Sequence, residues 1–284
     1  MSQKQVITIS ADSTADLTKE LYEKYKIHIV PLGVVIGDKA YKDDGVEINT
    51  KDVYEAVEKK GIMPKSQAAS EMDYTEHFEK FKGSDFHIHF SISDKLSASQ
   101  GCAIRAAKEF PNVHIINTKV LSSGTGLLAI KASEMIEAGK SGDEIVKKSR
   151  ELADKQNTSF ILDNLKYLHK GGRVSGLKLL GANLLKIHPQ MKCDSTGALV
   201  PGKKFRGNFA RNVIEYIQHV VENAPNADKD LTMLTYTDID PAIVKACEEE
   251  LKKLGFKRVF KTTAGCVITC HCGRNTIGIL FTDK

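Results

Sequence analysis

The chain has 284 residues, room for about two domains at roughly 150 residues each and for a core that needs no disulfide staples. Its 41 Lys and Arg against 36 Asp and Glu leave a net charge of +5 spread along the chain, which disfavours nucleic acid as a partner and suits small anions, acidic partners or a transient contact with an anionic membrane surface. No apolar run approaches the ~20 residues of a membrane span and no signal-peptide pattern precedes the first strand-like segment, so the expected compartment is the reducing cytoplasm.

Apolar residues recur at two alternating periods along the chain, the mark of an α/β protein. Val6 to Ser10 reads as a strand, with Asp12-Ser13-Thr14 capping a helix that carries Leu17, Leu21 and Tyr25. Ile27 to Leu32 is a second strand, and Gly37-Asp38 turns a hairpin between Val34-Val35-Ile36 and Lys39-Ala40-Tyr41. Asn49-Thr50 opens a helix with Val53 and Val57, and Ser70 opens another with Tyr74, Phe78 and Phe81 on one face. Phe86, Ile88, Phe90 and Ile92 alternate as a strand, and Ser97 is placed to open the helix after it. Val113 to Ile116 is a strand, Leu127 to Ala138 a helix, and Ser141 with Glu144 forms a capping box for a helix running to about Gln156.

A fresh strand, Thr158 to Leu162, resets the pattern, so two α/β domains are expected, residues 1–157 with a mainly parallel sheet and residues 158–284. The second half holds a long amphipathic helix (Phe209, Val213, Ile217, Val220), a strand at Leu231 to Tyr236 and a helix started by Asp240-Pro241 and ended by Gly255. Two more strands are expected near Phe256 to Thr262 and Thr276 to Thr282.

Four motifs carry candidate chemistry. Gly124-Thr-Gly126-Leu-Leu-Ala129 imitates a dinucleotide fingerprint, but no acidic residue ends the next strand about twenty residues on, and a tight helix entry is the favoured reading. Cys266-x-x-x-Cys270-His271-Cys272 suggests zinc; if extended, it would turn Cys270 and Cys272 to one face and His271 to the other, so no metal site is assigned. The other cysteines, 102, 193 and 247, read as buried thiols. Ser66, Ser97, Ser122, Ser123 and Ser175 sit at expected junctions; without a G-x-S-x-G elbow, most read as helix caps. The loop Lys170-Gly-Gly-Arg173-Val-Ser175-Gly176 is suited to an anion or an acidic partner, with a solvated loop as the plain alternative.

In order along the chain, several segments together resemble the DegV family of bacterial fatty-acid-binding proteins. They are Asp12-Ser13-Thr14-Ala15-Asp16-Leu17, Ser66-Gln67, Leu96-Ser97, Leu121-Ser122-Ser123-Gly124, Leu162-Asp163-x-Leu165-x-Tyr167-Leu168-x-Lys170-Gly171-Gly172-Arg173-Val174-Ser175, Ile187-x-Pro189, Arg206-Gly207 and His271-x-Gly273. The resemblance implies two α/β domains holding a long-chain fatty acid between them. The tail is then buried and the carboxylate held by hydroxyls and a histidine. It further implies a carrier without catalysis or cofactor of its own, which presents the carboxylate to a separate ATP-dependent kinase that forms the acyl phosphate for phospholipid synthesis. Carried over by motif position, Ser97 is the hydroxyl donor, His271 the imidazole at the head group, and Arg173 and Arg206 the basic residues at the pocket mouth or partner surface.

Physical chemistry points the same way. A buried carboxylate needs hydrogen bonds or a cation, and a tail of about sixteen carbons contributes roughly 10 kcal/mol at ~0.8 kcal/mol per methylene before ordering costs. The departures from the family pattern fall at the expected head group: Lys65-Ser66-Gln67-Ala68 for Thr-Ser-Gln-Pro, Leu96-Ser97-Ala98-Ser99 for Leu-Ser-Gly-Thr, and His271-Cys272-Gly273-Arg274-Asn275 for His-Thr-Gly-Pro-Gly. Ser66 and Lys65 therefore join the expected carboxylate contacts, and Lys65 and Arg274 would favour an anion. The competing readings are an enzyme using Ser97 as nucleophile and His271 as base for hydrolysis or phosphoryl transfer, and a zinc-dependent regulator using residues 266–272.

Overall fold

A computed structural model describes residues 5–174 and 187–284; Ser175 and Gly176 of the basic loop lie outside the described residues. The first strand, β1 (Ile7–Asp12), carries Ile9 and Ala11 into the core. A single 3-10 turn (Ser13–Ala15) follows, and the helix expected directly after Asp12 begins later, as α1 (Lys19–Lys24), capped by the Thr18 hydroxyl, which accepts from Leu21 N. Asp16 causes the delay: it sits at φ 47°, a left-handed conformation that no helix continues through. After β2 (Ile27–Val30) come the hairpin strands β3 (Gly33–Ile36) and β4 (Lys39–Lys42), turning at Gly37-Asp38 as the sequence predicts.

Capping boxes start α2 (Thr50–Glu58) at Asn49 and, beyond the short β5 (Lys65–Gln67), α3 (Glu71–Glu79) at Ser70. Then come β6 (Phe86–Ser91), α4 (Ser99–Ala107), β7 (Val113–Asn117), α5 (Ser123–Glu137) and α6 (Gly142–Ala153). Strands β2, β1, β6 and β7 lie side by side in that order, all parallel, and β4, β3 and β5 form a small antiparallel sheet.

The second sheet starts with β8 (Gln156–Leu162), so the expected boundary at residue 157 falls just inside a strand. It is followed by α7 (Lys166–Gly171), the hairpin β9 (Ile187–Cys193) and β10 (Leu199–Arg206), α8 (Phe209–Glu222), β11 (Leu231–Tyr236) and α9 (Pro241–Lys253). β12 (Arg258–Thr263), α10 (Cys266–Cys272) and β13 (Thr276–Thr282) complete the described chain. The strand order is β10-β9-β8-β13-β11-β12, antiparallel except for the β11–β12 pair. The β9–β10 hairpin escapes the periodicity because Pro189 and Pro201 break its pattern and its register shifts between Pro201 and Lys204.

α5 is the wedge between the sheets. It is buried from Ser123 through Ile130, and its cluster joins Ile9 and Phe90 of the parallel sheet to Leu231, Met233 and Leu280 of the other. The dinucleotide-like glycines are explained by this packing. A Cβ on Gly126 would lie 2.7 Å from Ala15 O and 2.5 Å from Leu17, so the glycine serves close helix approach and not phosphate binding.

The outer face of the parallel sheet buries a polar ladder. Thr8 Oγ1 meets His87 Nδ1 at 2.8 Å, His87 Nε2 meets Ser10 Oγ at 2.8 Å, and Ser10 Oγ meets His89 Nδ1 at 2.9 Å. Burial, with neighbouring His89 and His77 adding to it, pushes His87 down to about 2, and burial pushes His77 down to about 3. In the unfolded chain each would take up a proton near pH 6.5, so below that pH the unfolded state binds more protons and stability falls as pH falls. Relative to His87→Gln, the wild type is expected to lose about 1.4 kcal/mol of unfolding free energy per pH unit between pH 6 and 4.5, read from urea midpoints. Parallel pH profiles for the two proteins would show that His87 is not held neutral.

Candidate functional site

In an open parallel sheet the crevice at the carboxyl ends of the strands, where the strand order reverses, is the natural place for a ligand. Here the chain runs from β1 outward to β2 and returns to β6 on β1's other side, and a cavity of about 540 Å³ opens beyond that reversal. That volume suits a small-molecule ligand. Leu32, Ile92, Leu96 and Leu121 line it from the first half of the chain, and Phe160, Leu168, Leu199 and Ile268 from the second.

The polar lining includes four of the six site residues expected from sequence: Ser66, Ser97, Arg173 and His271. Ser66 is not a helix cap but the middle residue of β5, and its Oγ lies 2.8 Å from His271 Nε2. Ser97 stands two residues before α4 rather than at its first turn; its Oγ accepts from Ser99 N at 3.2 Å and contacts Ser99 Oγ at 2.8 Å. Exposed Arg173 donates to Gly171 O at 2.7 Å.

Lys65 and Arg206 are not among the lining residues. Lys65 is exposed, pairing with Val35 in the small sheet where alternation turns it away from Ser66's face, and Arg206 is exposed at the end of β10, opposite Ile187. Arg274 is engaged elsewhere as well: its guanidinium lies 4.0 Å above the Tyr54 ring and pairs with Glu58 at 2.7 Å and with Asp238. Asn275 donates its backbone N–H to Asp238 O at 3.0 Å, whereas Ala98 does line the cavity.

His271 owes its place to α10, a helix rather than an extended segment. The helix puts Cys266 and Cys270 in the cluster beneath β3 and α3, and Cys272 against Phe160 and Leu168. Burial pushes the Cys270 and Cys272 thiols up to about 12, and among the described residues no group of three His, Cys, Asp or Glu is arranged to hold a metal ion.

Two carboxylates that sequence reasoning missed fasten the start of α10. Asp43 accepts from Cys266 N at 3.0 Å and Val267 N at 3.3 Å, and Asp16 accepts from Gly265 N at 2.9 Å and from Ser122 Oγ at 2.5 Å. Ser122 is therefore a tie to Asp16 rather than a helix cap. Desolvation raises the pKa of both acids. In sequence, Asp43 sits in a Lys-Asp-Asp-Gly stretch that reads as an ordinary surface turn, which is why it carried no signal.

At the far end of α10, burial first and Arg173 second lower His271 to about 4, so the imidazole is neutral at pH 7. Among the described residues its Nδ1 has no hydrogen-bond partner. An orphaned acceptor is cheaper to bury than an orphaned N–H, so the favoured tautomer carries its proton on Nε2 and donates to Ser66 Oγ. The Ser66 hydroxyl proton is then free to point at a ligand.

A family model described as "Uncharacterised protein, DegV family" matches residues 6–284. The fatty acid-binding protein of Thermotoga maritima is 30% identical over 279 residues, covering 96% of each chain. The structure is similar to that of a DegV family protein from Thermus thermophilus, described by its fatty acid binding, with a TM-score of 0.88, 26% identity and coverage of 98% of this chain and 100% of that one. It is also similar to DegV of Bacillus subtilis, described as a fatty acid binding protein, with a TM-score of 0.83, 26% identity and coverage of 99% and 100%.

The imidazole is backed by Gly171, where a Cβ would lie 2.2 Å from His271 Nδ1. Gly171→Ala is expected to displace the ring and cost about 1–3 kcal/mol in urea unfolding, while Gly83→Ala, with no atom within 4 Å, changes stability little. Equal effects in the two variants would show that the ring does not depend on this contact.

Proposed function

The chain belongs to the DegV family, and we propose that it binds one long-chain fatty acid, with the acyl tail in the apolar cavity and the carboxylate at Ser66, Ser97 and His271. The observation that carries this reading is the joining of a large, mostly apolar cavity to the Ser66–His271 pair. Hydroxyls hold the carboxylate by hydrogen bonds, the neutral imidazole orients the Ser66 hydroxyl so that its proton faces the ligand, Arg173 adds a nearby positive charge, and burial of the tail supplies most of the affinity. The protein then acts as the substrate-presenting partner of a separate ATP-dependent fatty acid kinase, which converts the presented carboxylate to an acyl phosphate. Arg206, exposed and outside the cavity, suits docking of that partner.

A hydrolytic reading would use Ser66 or Ser97 as nucleophile and His271 as base. It is disfavoured because, among the described residues, His271 Nδ1 has no carboxylate or carbonyl to orient it, the third member that such a pair needs.

Native mass spectrometry of the freshly purified chain is expected to show one fatty acid per protein, depleted in Ser97→Ala and His271→Ala. Lipid-free protein that also fails to take up added fatty acid would overturn the binding reading. With the kinase added, Arg206→Ala should slow acyl phosphate formation while lipid content stays intact; loss of the lipid would place Arg206 in binding instead.

A further inference from the structure

Ser97 reaches the cavity on the turn that leaves β6, and that turn is tied down before it gets there. At its start Ile92 N donates to the buried carboxylate of Asp12 at 2.9 Å. The next residue, Ser93, is fully buried and engages every polar group it owns. Its N–H donates to Val120 O at 2.9 Å, and its carbonyl accepts from Leu96 N at 3.0 Å and from Ser97 N at 3.1 Å.

The hydroxyl of Ser93 reaches furthest along the chain. It donates to Gly197 O at 2.8 Å, across 104 residues, and accepts from Lys95 N at 3.2 Å. Gly197 belongs to the turn between β9 and β10, which Asp194 shapes: its Oδ1 accepts from Thr196 N at 2.9 Å and from Ala198 N at 3.1 Å. The two turns meet closely, since a Cβ on Gly197 would lie 2.3 Å from Ser93 Oγ. One hydroxyl thus joins the first half of the chain, which brings Ser97 to the cavity, to the hairpin of the second half, which brings Leu199.

We propose that Ser93 is a positioning residue for the ligand carboxylate, latching the turn that carries Ser97 to the β9–β10 hairpin so that the Ser97 hydroxyl stands at the head-group pole. This rests on the fatty-acid reading of the cavity. Ser93 is not a lining residue and its proton is committed to Gly197 O, so it acts through Ser97. With its amide committed to Ser93 O, Ser97 has its hydroxyl to offer, and the position of that oxygen decides how well the carboxylate is held.

Loss of the latch loosens the Ser97 turn and leaves Gly197 O without that donor. Leu199 keeps its pairing with Cys193, so the tail wall stays in place. The effect is therefore specific to an anionic head group, because a neutral head gains less from a hydroxyl proton held in position.

The test measures displacement of a fluorescent fatty-acid analogue from the delipidated full chain by oleic acid and by oleyl alcohol. Ser93→Ala is expected to weaken oleic acid about three- to tenfold and to leave oleyl alcohol within about twofold, with no further loss of the acid when it is added to Ser97→Ala. Equal weakening of both probes, unchanged affinity for the acid, or full additivity with Ser97→Ala would overturn the proposal. If Ser93→Ala does not fold, Asp194→Ala, outside the cavity lining, relaxes the turn around Gly197 and is expected to weaken the acid about two- to threefold with the alcohol unchanged. An Asp194→Ala protein with no acid-selective loss would overturn the proposal as well. Wild-type protein that binds neither probe would instead remove the fatty-acid reading, and this proposal with it.

Discussion

The site depends on the grip of two buried carboxylates on one short helix. Seven residues are too few for α10 to hold its shape unaided, because helix nucleation is costly and its first N–H groups begin unpaired. Asp43 and Asp16 supply the missing acceptors at the N-terminal end of the helix. Burying two acids is expensive, and the amides and hydroxyls that surround them offset that cost. Since His271 and Cys272 occupy the opposite end of this helix and Ile268 its middle, loops near the start of the chain decide where the imidazole meets Ser66.

What could be read from the sequence was what local chemistry decides. The caps at Asn49, Ser70 and Ser141, the Gly37 turn and the proline start of α9 need only neighbouring residues, and each stands where the pattern put it. The α/β alternation and the parallel first sheet followed from hydrophobic period alone. What escaped was decided across long separations. Asp43 caps an amide 223 residues away, and Ser66 meets a histidine 205 residues away. Ser66 and His271 were legible only as parts of a family pattern, and nothing in that pattern distinguished Lys65, which faces solvent, from Ser66, which faces the cavity.

The polarity of the site is restrained. Its half-buried groups are hydroxyls and a neutral imidazole, and its arginine stays exposed beside solvent. Such a pole can hold an anion without the desolvation cost of a fully buried ion pair, and it can release that anion without stranding a buried cation. The thiols nearby, Cys272 of the cavity lining among them, are kept protonated by burial.

The order of synthesis acquires a meaning from the strand order of the larger sheet. β13 comes last among the described strands yet lies in the interior of that sheet, between β8 and β11. Until residues 276–282 have left the ribosome, β8 and β11 have no common neighbour and the sheet stays in two pieces. The earlier parallel sheet can form from residues 7–117 while translation continues, but the wall that carries His271 cannot. A nascent chain therefore displays half of an apolar pocket before the other half exists, which makes the interval between the two sheets the time when this protein most needs a chaperone.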